Sequence, residues 1–185
     1  MSMRTARMAV VMVLATLLLS GCGATSDAAV MRLPVCDPGG FRTTVLMAQS
    51  VPTASRIPCL RRGLPSHWQL EDMTIDSAGS RLTFVSEMTS DTPDRLNVVL
   101  AARCDTSDAI AVTTDEVGTR RLEHIDVVAS GYTGQRYYTF PGGCVTYRFT
   151  ASGDDWTGFV EEAANLWTFA PRDQVMGRAD AALGG

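Results

Sequence analysis

The hydrophobic period of the sequence changes once, after residue 152, and this change constrains the fold more than any other feature. Apolar and polar residues alternate over 81–88, 95–103 and 144–150, which is the pattern of strands with one buried face. From Trp156 onward, apolar residues recur at helical spacing. Because strands precede helices instead of alternating with them, the sequence predicts an α+β fold, an antiparallel β-sheet with one or two C-terminal helices packed on it.

Two hairpins are predicted within the strand region. Residues 135–140 pair with 144–150 through the turn Pro141-Gly142-Gly143. Residues 68–75 join the next strand through a turn at 76–80.

The strand over 144–150 has one apolar face. Val145, Tyr147 and Phe149 share it and are expected in the core. Residues 120–128 form a weaker strand, because their alternation breaks around His124.

Two helices follow the strands. The first begins near Trp156, after the partial capping signal of Ser152 and Asp155. Its apolar stripe consists of Trp156, Phe159, Val160, Ala163, Leu166 and Trp167. The second begins at Pro171, because proline suits the first helical position. Its stripe consists of Val175, Met176, Ala179 and Leu183.

The amino-terminal segment has the three parts of a secretory signal peptide. Arg4 and Arg7 precede an uncharged apolar run over 8–19, which small residues follow. A transmembrane helix is the alternative, but it needs ~20 apolar residues and this run is shorter. The stretch Leu19-Ser20-Gly21-Cys22 resembles the lipobox of bacterial lipoproteins. That resemblance implies that Cys22 receives a diacylglyceryl group and becomes the first mature residue.

We therefore expect three segments along the chain. Residues 1–21 are a lipoprotein signal peptide, 22–29 a flexible tether of small and polar residues, and 30–185 a single extracytoplasmic domain. The predicted location is the outer face of the cell membrane. The lipid on Cys22 holds the protein there, because a chain of net charge -4 gains nothing from anionic headgroups.

The cysteine count supports an oxidising compartment. Lipidation of one of the five cysteines leaves an even number, and two disulfides are then the default, with three possible connectivities. We favour Cys36 with Cys59 and Cys104 with Cys144, because Cys104 ends one predicted strand and Cys144 begins another.

Composition excludes several classes of protein. All 16 basic residues are arginine, so lysine Schiff-base and P-loop chemistry are impossible. A mildly acidic chain without a basic tract also argues against nucleic-acid binding. The sequence predicts no cofactor and no metal. The alternative, a structural calcium at Asp91 with Asp94 or at Asp105 with Asp108, has too few carboxylates at either spot.

The two histidines give weak evidence of catalysis. The run Glu123-His124-Ile125-Asp126 could form an acid-base cluster, but neighbouring strand residues point to opposite faces, so Glu123 and His124 do not converge. His67 follows Pro65 and Ser66 and is expected to be an exposed loop residue.

The most unusual local composition lies between residues 120 and 149, where all four tyrosines accompany four arginines. Tyrosine and arginine are favoured at the centres of interfaces, although β-propensity alone also enriches tyrosine in strands. Arg136 and Tyr137 are predicted to point outward near the hairpin turn. The candidate binding residues are Arg120, Arg121, Tyr132, Arg136 and Tyr137.

Three stretches, residues 44–54, 58–59 and 136–149, resemble exported actinobacterial proteins without an assigned activity. The resemblance brings no catalytic residues with it. The function that we expect is a non-catalytic surface lipoprotein that binds a ligand or an envelope protein partner. The alternative is an envelope hydrolase whose site is assembled from scattered residues.

Overall fold

The computed structural model describes residues 32–36, 41–87, 93–114, 116–128, 131–153 and 156–183. The predicted signal peptide, the tether, Cys22 and Asp91 lie outside these ranges. Within them, no helix combines the length and apolar character that crossing a bilayer requires.

Most of the strands precede the last two helices, as the change of period predicts. The helices are α1 (Phe41–Ser50), α2 (Trp156–Asn165) and α3 (Arg172–Leu183). The strands are β1 (Arg56–Leu60), β2 (Trp68–Asp76), β3 (Gly79–Ser86), β4 (Asp94–Ala101), β5 (Ile110–Val112), β6 (Arg120–Val128), β7 (Gly131–Phe140), β8 (Gly143–Ser152) and β9 (Trp167–Pro171). The α+β prediction is confirmed.

The main sheet has seven strands in the order β2-β3-β4-β8-β7-β6-β5. Every neighbouring pair in it is antiparallel. Both predicted hairpins are present, with Phe140 opposite Gly143 in one and Asp76 opposite Gly79 in the other. The weaker strand prediction over 120–128 matches β6.

The turn of the β7–β8 hairpin is docked on the loop after α1. Gly142 has φ +75°, and a Cβ at this position would collide with the carbonyl group of Thr53. The Thr53 hydroxyl donates a hydrogen bond of 2.6 Å to the Gly142 carbonyl. Glycine at position 142 therefore permits both the positive φ and the close contact with Thr53.

The core lies between one face of the main sheet and the helices, and we call this face the inner face. Val145, Tyr147 and Phe149 on β8 are at most 1% exposed, as predicted. The helices contribute Met47 from α1, Phe159, Val160 and Ala163 from α2, and Val175 from α3. The opposite, outer face carries the alternate residues of the same strands.

Two disulfides link Cys36 with Cys59 and Cys104 with Cys144, with Cα–Cα distances of 5.1 and 6.1 Å. This is the connectivity favoured from the sequence. The second bond forms because β4 pairs with β8 so that Ala101 lies opposite Cys144, and Cys104 follows shortly after. It fastens the segment after β4 to the sheet.

The first of the two predicted C-terminal helices ends two residues earlier than predicted. α2 stops at Asn165, and Trp167 instead begins β9, where it lies opposite Leu60. The Leu166 N–H still donates to the Glu162 carbonyl at 3.1 Å, which is the last hydrogen bond of the helix. The Leu166 carbonyl instead accepts the N–H of Arg61, immediately after β1, at 2.9 Å. Trp167 is still buried, at 2% exposure. Pro171 ends β9, and α3 begins one residue later.

The pattern of apolar residues in the sequence indicates neither α1 nor the two-stranded sheet of β1 and β9. α1 contains Thr43, Thr44 and Val45, whose β-branched side chains lower helix propensity. Tertiary contacts override that preference, because α1 lies against α3 and β1. Pro58 is tolerated in β1 because each strand of a two-stranded sheet has a free edge.

Candidate functional site

The structure divides the predicted tyrosine and arginine patch between the two faces of the sheet. Arg136 points to the inner face, where its side chain is only 14% exposed, so the prediction that it points outward is wrong. Tyr137 does point to the outer face, but it is 8% exposed and not a free surface residue. The reason is register, because Arg136 lies opposite the core residue Tyr147, and opposed residues share a face.

On the inner face, Arg136 and Arg121 share one carboxylate. Arg136 Nε donates to Glu123 Oε1 at 2.6 Å, and Arg121 Nε donates to the same oxygen at 3.0 Å. Burial pushes the pKa of Glu123 upward, but the hydrogen bond from Arg121 and the charges of both arginines hold it below its usual value. The Arg136 guanidinium also lies 5.7 Å from the centroid of the Phe149 ring. These contacts place the half-buried Arg136 against the core residue Phe149 and pair its charge with Glu123.

The remaining two candidate binding residues, Tyr132 and Arg120, lie on opposite faces of the sheet. Tyr132 is buried on the inner face and stacks on Trp156, with 4.6 Å between ring centroids. Arg120 is exposed on the outer side of β6, opposite Thr139. The five candidates do not form one patch: Arg121 and Arg136 line a small cavity on the inner face, and Tyr137 lines a larger one on the outer face.

That cavity, which we call the outer cavity, lies between residues 103–109 and the outer face of β4, β6, β7 and β8. Its volume is about 440 Å³, within the usual range for small-molecule sites. The Cys104–Cys144 disulfide fastens its roof to β8. The ionisable residues that line it are Arg103, Asp105, Asp108, His124, Tyr137 and Arg148.

Both charge signs surround the phenol of Tyr137. Its hydroxyl donates to Gln135 Oε1 at 3.0 Å. Burial raises its pKa, and the charges of Asp105 and Asp108 act in the same direction while Arg148 opposes them. The outer cavity therefore offers cationic donors and anionic acceptors around one buried hydroxyl.

His124 links the roof of the outer cavity to the sheet. Its Nδ1 lies 3.0 Å from the Asp108 carbonyl oxygen, and its Nε2 lies 3.3 Å from an oxygen of Asp126. Since both ring nitrogens face acceptors, the doubly protonated ring satisfies both contacts. The Asp108 carbonyl and the Asp126 charge raise its pKa. Glu123 faces the inner side, so the two do not converge, as the alternation predicts.

His67 lies in the loop before β2, as the sequence predicts, but it is half-buried and not exposed. Its Nε2 lies 3.0 Å from Glu162 Oε2, and the Trp68 indole donates to the same oxygen at 3.2 Å. The imidazole is 28% exposed. The contact ties the loop before β2 to α2, which no local pattern in the sequence indicates.

One described member of each predicted acidic pair has a backbone N–H as its partner. Asp94 is buried and accepts the Ser152 N–H at 2.9 Å, and Asp105 accepts the Ser107 N–H at 3.1 Å. In the part of the chain that the structure describes, no three histidine, cysteine, aspartate or glutamate side chains are grouped to hold a metal ion.

Sequence reasoning missed most of the residues of the outer cavity. Arg103 and Ser107 lie in the roof and Gln135 lies on β7, and only the disulfide at Cys104 indicates that the loop returns to the sheet. Comparison with protein-family models, with curated proteins and with solved structures finds no match to this chain.

Proposed function

We propose that this protein is a lipid-anchored surface lipoprotein of the actinobacterial type, and that its domain binds a short zwitterionic peptide in the outer cavity. The lipobox-like stretch before Cys22 supports the anchor, and two disulfides are consistent with an oxidising compartment outside the cytoplasm.

One observation supports the ligand class, namely the mixed charge of the outer cavity. Arg103 and Arg148 present guanidinium groups suited to a carboxylate, while Asp105 and Asp108 suit an ammonium group. A volume of about 440 Å³ has room for two or three amino-acid residues. The exposed polar lining favours a hydrophilic ligand over an acyl chain.

The residues of the outer cavity favour binding over hydrolysis. A general base needs a free nitrogen or a carboxylate of raised pKa. His124 has acceptors at both nitrogens. The backbone N–H of Ser107 lowers the pKa of Asp105, which keeps that carboxylate ionised and unsuited to proton donation. The alternative, an envelope hydrolase, would have to draw its acid and base from elsewhere.

The test is calorimetric titration of the detergent-solubilised protein with alanyl-alanine. The matched probe is the N-acetyl methylamide of the same dipeptide, which has the same side chains but no terminal charges. We expect saturable binding of the zwitterion and at least tenfold weaker binding of the neutral probe.

Substitutions locate the site. Arg148→Ala should weaken dipeptide binding at least tenfold, because it removes a charge-assisted bond. Arg42→Ala, which removes an exposed arginine on α1 across the sheet, should leave binding unchanged. Equal binding of the charged and neutral probes, or unchanged binding in Arg148→Ala, would overturn the proposed function.

A further inference from the structure

We infer that the inner face of the sheet carries a second site, which binds one small monovalent anion of the halide class in a small cavity beside Tyr147 and Trp167. This inner cavity has a volume of about 70 Å³ and lies among β6, β7, β8, β9 and the end of α2. It is on the opposite side of the sheet from the outer cavity, and the inference does not depend on the proposed function.

Two buried hydrogen-bond donors at the inner cavity have no protein partner. They are the hydroxyl of Tyr147, a residue 1% exposed, and the indole N–H of Trp167, a residue 2% exposed. An indole N–H can only donate. Burial raises the pKa of Tyr147 well above its usual value, so its hydroxyl keeps the proton and can also donate. Since buried donors in folded proteins are nearly always paired, these two indicate an acceptor in the cavity.

The charges around the inner cavity are unbalanced. Arg61 pairs with Glu116, but Arg121 and Arg136 share the single carboxylate of Glu123. Arg61, Arg121 and Arg136 all line the cavity. One positive charge therefore exceeds the negative ones in this cluster, and Arg136 and Glu123, with side chains 14% and 15% exposed, are largely withdrawn from solvent.

A monovalent anion would pair the two buried donors and balance the excess positive charge. It accepts from the hydroxyl and the indole, and it neutralises the excess guanidinium charge. Water could accept the two hydrogen bonds but would leave the charge uncompensated. A volume of about 70 Å³ admits a small ion and is small beside the range of about 300–1,000 Å³ that is usual for organic ligands.

The experiment uses bromide as the probe. The full-length protein is exchanged into sodium gluconate, whose anion is too large for the cavity, and bromide replaces gluconate at constant ionic strength. We expect a saturable rise in melting temperature, because a ligand that binds only the folded state stabilises it. Crystals grown in bromide should show an anomalous peak between Tyr147 Oη and Trp167 Nε1.

Tyr147→Phe removes the unpaired hydroxyl and keeps the ring. In gluconate it should melt at the wild-type temperature or above, because an unpartnered donor has been removed. In bromide it should melt below the wild type, with the apparent Kd for bromide weakened at least tenfold. Tyr132→Phe is the control, since this buried tyrosine of the same face does not line the inner cavity.

Three results would overturn the inference. They are a wild-type response that does not saturate, an equal response in Tyr147→Phe, and crystals in which the inner cavity holds only water at high bromide. The crystallographic result decides the matter even if Tyr147→Phe fails to fold.

Discussion

Arg136 on β7 lies directly opposite Tyr147 on β8, and both side chains point into the inner face of the sheet. The guanidinium bonds Glu123 at 2.6 Å, and the tyrosine ring lies edge-on to Phe149 with 6.4 Å between centroids. The charged side chain of Arg136 thus lies against the aromatic core, with Glu123 as its ion-pair partner.

Replacement of Arg136 by alanine should therefore destabilise the fold. We expect a loss of ~1–3 kcal/mol, because Glu123 loses one of its two partners in a half-buried position. Arg148→Ala removes an exposed arginine of the neighbouring strand and should change stability by less than ~0.5 kcal/mol. Urea denaturation of both variants checks this, and equal midpoints would contradict the buried role of Arg136.

The contacts of His124 predict a pH-dependent roof over the outer cavity. Its folded-state pKa is raised, so the contribution of the protonated ring is present below the unfolded value of ~6.5 and is lost as pH rises through the folded pKa. Asp126→Asn should lower that pKa by removing the negative charge beside Nε2. NMR titration of the imidazole measures it.

In the same titration, the protection factors of the amides of residues 103–109, which correct for the intrinsic rise of exchange with pH, should fall above the folded pKa of His124. His67→Gln identifies the other imidazole signal. A pKa at the model-peptide value, or one that does not respond to Asp126→Asn, would contradict the link between His124 and the roof.

Removal of the Cys104–Cys144 disulfide should both destabilise the protein and weaken ligand binding. The double substitution Cys104→Ala with Cys144→Ala should reduce stability by ~2–4 kcal/mol. It should also weaken dipeptide binding, because the bond fastens the roof of the outer cavity.

The matched control is Cys36→Ala with Cys59→Ala, which opens a disulfide away from that cavity. It should lower stability and spare binding, as calorimetry and urea denaturation would show. Equal weakening of binding in both double variants would mean that the roof does not depend on Cys104.

Cys22→Ala tests the anchor. The variant should move from the membrane fraction to the soluble fraction, or accumulate with its amino terminus uncleaved, because no acyl chains can be attached. Immunoblotting of fractionated cells with mass spectrometry of the terminus measures both outcomes. A membrane-bound Cys22→Ala protein with a normally cleaved terminus would rule out lipidation at this residue.

Much of the sheet could be predicted from local pattern. The alternation that places Val145, Tyr147 and Phe149 on one face follows from the pleat of a strand, which every residue senses locally. The tight turn at Gly142 also predicts which face of the sheet Arg136 lies on. A hairpin that closes with Phe140 opposite Gly143 sets residue 136 opposite residue 147, so turn length alone indicates an inward arginine.

The sequence by itself determined the class of the fold and the strands around both hairpins, because these depend on period, turn residues and near neighbours. It favoured one disulfide pairing among three, and the long-range pairing of β4 with β8 decided that Cys104 meets Cys144. Only the tertiary structure decided the helical state of α1, the pairing of β1 with β9, and the two cavities on opposite faces. These features join residues far apart in the chain, such as Arg61 with Glu116 or His67 with Glu162. Contacts of that kind depend on how whole elements pack, and no local pattern encodes them.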